Sequence, residues 1–148
     1  MSRVAAARPV LQTLDLPIAD VRRIVATALA EDLGSGDITT DNLVPADATA
    51  RAAVAYRSGG IVCGTQVLAE VFRSIDPAVE VDVLVPEGTR VEKGATVAVV
   101  RGAARSILKG ERVALNFVQR MAAVATATAE YVKAVEGLPV HIIDTRKT

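Results

Sequence analysis

The chain has 148 residues, 51% hydrophobic but only 3% aromatic, and its seventeen basic and seventeen acidic side chains cancel. That length fits one domain, or one and part of a second, around a core of Ala, Val, Leu and Ile. A neutral chain with no Trp, two Tyr and two Phe lacks the basic footprint and stacking platforms of a nucleic-acid binder, while one Cys and one His exclude an internal disulfide and a multi-histidine metal site. No apolar run approaches the ~20 residues of a membrane helix. Arg8-Pro9 interrupts the first apolar stretch before a signal-peptide core forms. The expectation is a soluble, cytoplasmic chain that binds neither nucleic acid nor membrane.

Residues 17–33 read as an amphipathic helix, with Ile18, Val21, Ile24, Val25, Ala28, Leu29 and Leu33 at helical spacing. Asp15 is placed to cap it, Pro17 to enter its first turn and Gly34 to end it. Residues 34–42 then read as a break followed by a polar loop. Residues 48–57 have the character of a strand, Gly59-Gly60 of a turn, and residues 61–63 of a short partner strand. Residues 66–75 place Val67, Leu68, Val71, Phe72 and Ile75 on one helical face. Alternating Val81, Val83 and Val85 mark a half-buried strand, Pro86-Glu87-Gly88 a turn, and residues 96–100 another strand after the Lys93-Gly94 turn.

From about 105 to 136 the pattern is helical, and its length predicts a break near 122–125. The apolar run 139–144 reads as a buried, parallel-type strand. Such a strand has no parallel partner in this chain and nothing after it to cover its edge, so the expectation is a fragment of something longer.

Three constellations could carry chemistry. Thr145-Arg146-Lys147 follow the last strand, where ligands gather in α/β architectures, and combine a hydroxyl, a guanidinium fork and an ammonium into an anion site. The alternative is an ordinary basic chain end. Arg112, Asn116 and Gln119 fall on one stripe of a helix, with Lys109 and Arg120 close by, facing either an anionic ligand, a neighbouring subunit or solvent. Glu31-Asp32 before Gly34-Ser35-Gly36-Asp37 match neither a calcium loop nor a dinucleotide loop, so they read as a helix end and an ordered loop. Cys63 reads as a small buried hydrophobe and His141 as structural.

Taken together, Glu31-Asp32-Leu33-Gly34 with Gly36-Asp37-Ile38-Thr39-Thr40, Glu111-Arg112-x-x-Leu115-Asn116, and Asp144-Thr145-Arg146-Lys147-Thr148 resemble the quinolinate phosphoribosyltransferases. The resemblance covers the first half of that family. It implies an α+β N-terminal sandwich domain over residues 1–114. Residues 115–148 are then linking helices and the start of an α/β barrel, truncated after its first strand. It also implies the reaction of quinolinate with phosphoribosyl pyrophosphate to nicotinate mononucleotide, pyrophosphate and CO2, with Mg²⁺ whose ligands lie beyond this chain.

In the family's scheme the enzyme is a homodimer or higher homo-oligomer, with the site at a subunit interface. Arg112 then reaches the partner's quinolinate, while Thr145, Arg146 and Lys147 hold substrate in their own subunit, and no covalent nucleophile is expected. The 148 residues alone are expected to be inactive. A nicotinate phosphoribosyltransferase or another enzyme of the same fold is the alternative within the class. A biotinyl- or lipoyl-like carrier module, built on residues 85–94 with Lys93 in the turn, is the alternative outside it.

Overall fold

The computed structural model describes residues 15–145 and residue 147; Arg146, the Arg8-Pro9 break and Thr148 lie outside the described residues. The elements run α1 (Ile18–Leu33), α2 (Ile38–Leu43), β1 (Thr49–Ala55), β2 (Gly60–Ile61), α3 (Thr65–Ile75), β3 (Glu80–Val83), β4 (Arg90–Val91), β5 (Thr96–Ala103) and α4 (Ala104–Ala134). The result is the mixed α/β architecture that the sequence implies.

Strand β5 is the centre of a three-stranded antiparallel sheet in the order β1-β5-β3. Alternation sorts its two faces. Ala52 pairs with Val100 and Val100 with Val81, and this row packs against Val25 and Leu29 of α1, Leu68, Val71 and Phe72 of α3, and Ile107, Val113, Ala114 and Val118 of α4. The opposite row includes Ala53, Val99 and Asp82, with Arg101 paired to Asp82. A two-stranded ribbon of β2 and β4 encloses a second cluster of Val62, Val91 and Val97.

Helix α3 lies close on α4. A Cβ at Gly110 would stand 2.8 Å from Phe72 Cε1 and 3.0 Å from Ile75 Cδ1, and Phe72 is itself buried. With so few aromatics, the core gains contact by bringing backbones together rather than by filling space with rings.

Several expectations change. Residues 38–42 are not loop but belong to α2, because the Asp37 carboxylate caps it, accepting from both the backbone N–H and the hydroxyl of Thr40. The short strand at Gly60–Ile61 pairs with β4, not with β1. Asp15 does not cap α1, whose N-cap position is Pro17 with no side-chain bond. Helix α4 runs unbroken through 122–125: that stretch is Ala-rich with neither Gly nor Pro. Its later turns are also tied down, Thr126 Oγ1 accepting from Ile61 N at 2.9 Å and Arg90 meeting Glu130 at 2.7 Å.

Residues 139–144 form no strand, since no described strand offers them a ladder, and Val140, Ile142 and Ile143 are exposed. His141 is exposed as well.

Glu87, in the turn after residue 85, is buried at 5% exposure. One oxygen accepts from Gly64 N at 2.9 Å; the other accepts from Thr65 N at 2.7 Å and Thr65 Oγ1 at 2.6 Å. It therefore caps α3 from a distant part of the chain, where a carboxylate satisfies the free N–H groups and opposes the positive end of the helix dipole. Glu87→Ala strands these buried donors and is expected to cost about 2–4 kcal/mol, read as a lower midpoint in urea unfolding with an unchanged m-value.

Candidate functional site

Three polar side chains stand on one stripe of α4. Arg112, Asn116 and Arg120 recur at i, i+4 and i+8, and the neighbouring Val113, Ala114 and Val118 are buried in the core. Facing them, Ala28, Glu31 and Asp32 come from the last turns of α1. Gly34 ends that helix at φ +48, its N–H donating to Ala30 O. Between the two helices is an open cleft of about 440 Å³ floored by Val113 and Phe117. A volume of that order suits a small molecule.

Across this cleft Arg112 Nη1 donates to Asp32 Oδ1 at 2.9 Å. The pair is asymmetric, the arginine side chain being 76% exposed and the aspartate 18%. On the other flank of the stripe, Leu108, Leu115 and Gln119 line a second groove that also reaches Arg112 and Asn116. The structure thus brings Arg112, Asn116 and Gln119 together on a ridge between two grooves, as their spacing predicts.

Lys109 is drawn away from the stripe. Its Nζ meets Asp41 Oδ1 at 2.7 Å, while Arg105 donates to Val44 O at 2.8 Å and to Asp41 O at 3.0 Å. These bonds pin α2 to α4. Through Asp41 and Val44 the segment that follows α1 is thereby held against α4.

The Asp37 carboxyl is held below its ordinary value of 3.8, first by the Thr40 hydroxyl at 2.5 Å and then by Thr40 N at 3.0 Å. Asp76 is lowered likewise by Ala78 N and then by the Ser106 hydroxyl.

Sequence reasoning missed two buried carboxylates. Besides Glu87, Glu70 on α3 is buried at 5% exposure and accepts from Arg22 Nε at 3.0 Å and Arg73 Nη1 at 3.1 Å, which ties α1 to α3. The i,i+3 spacing of Glu70 and Arg73 was visible; the reach to Arg22 was not. Cys63 is half-buried rather than buried. Burial, then the charge of Glu87 and a hydrogen bond with it, push its thiol up, which disfavours the nucleophilic thiolate.

Thr145 and Lys147 lie in the exposed segment after α4, outside both grooves that Arg112 lines, and Lys147 N donates to Thr145 Oγ1 at 3.2 Å. Among the described residues no group of three or more His, Cys, Asp or Glu is arranged to hold a metal, and no helix is long and apolar enough to cross a membrane.

Residues 37–122 match the family model of the quinolinate phosphoribosyl transferase N-terminal domain. The chain is 35% identical to mitochondrial quinolinate phosphoribosyltransferase 2 (decarboxylating) of Nicotiana glauca, a match covering 100% of this chain and 43% of that protein. It is 39% identical to a probable nicotinate-nucleotide pyrophosphorylase (carboxylating) of Synechocystis sp., over 81% of this chain and 40% of the relative.

Among solved structures, the nicotinate-nucleotide pyrophosphorylase of Francisella tularensis superposes with a TM-score of 0.85 at 34% identity, covering 90% of this chain and 48% of that one. NadC of Streptococcus pyogenes gives 0.87 at 32% identity, covering 92% and 48%. The chain therefore spans less than half the length of the relatives it matches.

Because Asp37 and Asp76 are depressed, the folded form binds fewer protons than the unfolded chain below the ordinary carboxyl value. Their contribution to stability is present above 3.8 and is lost as pH falls through and below it. Urea midpoints taken from pH ~5 down to ~3 are expected to fall, and Asp37→Asn is expected to flatten that fall.

Proposed function

The chain belongs to the quinolinate phosphoribosyltransferase family through its N-terminal domain, and from that premise we propose that the whole protein transfers phosphoribosyl from phosphoribosyl pyrophosphate to quinolinate with loss of CO2. The products are nicotinate mononucleotide and pyrophosphate. The observation that carries this reading is Arg112 on the α1–α4 cleft, within the stretch that matches the family.

Quinolinate carries two carboxylates beside a ring nitrogen. A guanidinium offers a planar pair of donors that a carboxylate accepts at both oxygens, fixing orientation as well as charge. When the ring nitrogen bonds to the ribose carbon, the bond from that carbon to pyrophosphate breaks and the ring becomes cationic. Expulsion of the neighbouring carboxyl as CO2 leaves its bonding pair on the ring, and a proton then takes that place. Such a reaction asks the protein chiefly for positioning and for fixed charges, not for a covalent nucleophile.

The cleft cannot supply those charges by itself. Glu31 and Asp32 cancel Arg112 and Arg120 in formal charge. A dianion needs further cations, which supports a site shared between subunits. In this reading Arg112 reaches the quinolinate bound to a partner subunit, and Thr145, Arg146 and Lys147 contact the substrate of their own subunit.

Residues 115–148 then lead into a barrel, in which the apolar run 139–144 gains the strand neighbours it lacks among the described residues. The proposed boundary at 114/115 falls inside α4, which makes that helix the connection between the two parts. In this reading the Mg²⁺ of the family's reaction accompanies phosphoribosyl pyrophosphate and takes its protein ligands from beyond residues 1–148. A single cysteine fits a reducing compartment, the cytoplasm.

The full-length protein, given quinolinate, phosphoribosyl pyrophosphate and Mg²⁺, is expected to form nicotinate mononucleotide, with nicotinate as the control substrate. Arg112→Ala is expected to lower kcat/KM for quinolinate by about 100-fold while leaving the KM for phosphoribosyl pyrophosphate nearly unchanged. The 148 residues alone are expected to give no turnover. Product from nicotinate but none from quinolinate, measured by chromatography, overturns the substrate assignment.

A further inference from the structure

Arg112 is a long side chain at the mouth of the cleft, 76% exposed, and left alone it would sample many rotamers. Its partner is the fixed one. Asp32 sits in the last turn of α1, only 18% exposed, on a helix whose Leu29 and Leu33 are rooted in the main core and whose end is set by Gly34. The contact joins residues eighty positions apart through one nitrogen, Nη1. The guanidinium edge formed by Nη2 and Nε has no acceptor among the described residues. An exposed ion pair adds little to stability, so its more consequential effect is geometric.

We propose that Asp32 is a positioning residue: it holds one nitrogen of Arg112 so that the free edge of the guanidinium is presented to a substrate carboxylate. This rests on the functional reading above. Asp32 stays beside the arginine and is not itself a substrate contact, so its influence falls on quinolinate affinity and not on the later bond-making steps. Positioning and plain charge make opposite predictions. Asp32 is an anion near an anion site, so by Coulomb attraction alone its removal should tighten quinolinate binding. If its work is to orient Arg112, removal should weaken binding.

The test uses steady-state kinetics of the full-length protein with Asp32→Ala, Asp32→Asn and each of these combined with Arg112→Ala, after thermal unfolding has shown matching Tm values. Asp32→Ala is expected to raise the KM for quinolinate about tenfold, with kcat and the KM for phosphoribosyl pyrophosphate within about twofold. Asp32→Asn keeps an oxygen in the same place and is expected to restore most of the affinity. In the Arg112→Ala background Asp32→Ala should raise the KM no further, leaving only the charge effect in the opposite direction. An unchanged or lowered KM for Asp32→Ala overturns the proposal, and so does an equal effect with and without Arg112. A wild-type protein that never converts quinolinate removes the functional reading and this inference together, whereas active wild type with an indifferent Asp32→Ala removes this inference alone.

Discussion

The absence of a side chain at position 110 governs how closely α3 and α4 approach. Phe72 and Ile75 occupy the space that a Cβ would need, and Phe72 is too well enclosed to move aside freely. This contact seats α4 against the layer that also holds α1 and the sheet, and α4 in turn carries the rest. One of its faces builds the core, its polar stripe opens onto the cleft, and its later turns hold β2 and β4 through Thr126 and Glu130. The position of Arg112 is thus a consequence of backbone packing two residues away in sequence.

Much of the fold was legible because its signals are local. Alternating valines in β3 and β5, the apolar stripe of α3 and the glycine stop after α1 each follow from one short stretch of sequence. What was not legible depends on partners far away in the chain. Glu87 reads as a turn residue until Gly64 and Thr65 arrive beside it. Residues 61–63 read as the partner of β1 because adjacent strands usually pair, yet β4 takes that role. Asp37 and Thr40 were three apart with matching chemistry, a signal for a helix start that the surrounding glycines hid.

The candidate site divides in the same way. The stripe of Arg112, Asn116 and Gln119 follows from helical geometry alone and stands where spacing puts it. The partnership of Arg112 with Asp32 could not be read from the chain, because two motifs recognised separately had to be folded into contact. Lys109 shows the reverse case: a cation that spacing places near the stripe is taken by Asp41 for structural work. The near-neutral cleft that results, with Glu31 and Asp32 facing Arg112 and Arg120, has little net field to draw anions from a distance.

The buried carboxylate of Glu87 has an effect beyond its helix cap. It lies beside the thiol of Cys63 and helps burial keep that sulfur protonated. Oxidation to sulfenic acid begins from the thiolate, so the carboxylate that caps α3 also disfavours the reactive form of Cys63. A residue recruited to start a helix thereby also bears on the chemistry of the sulfur beside it.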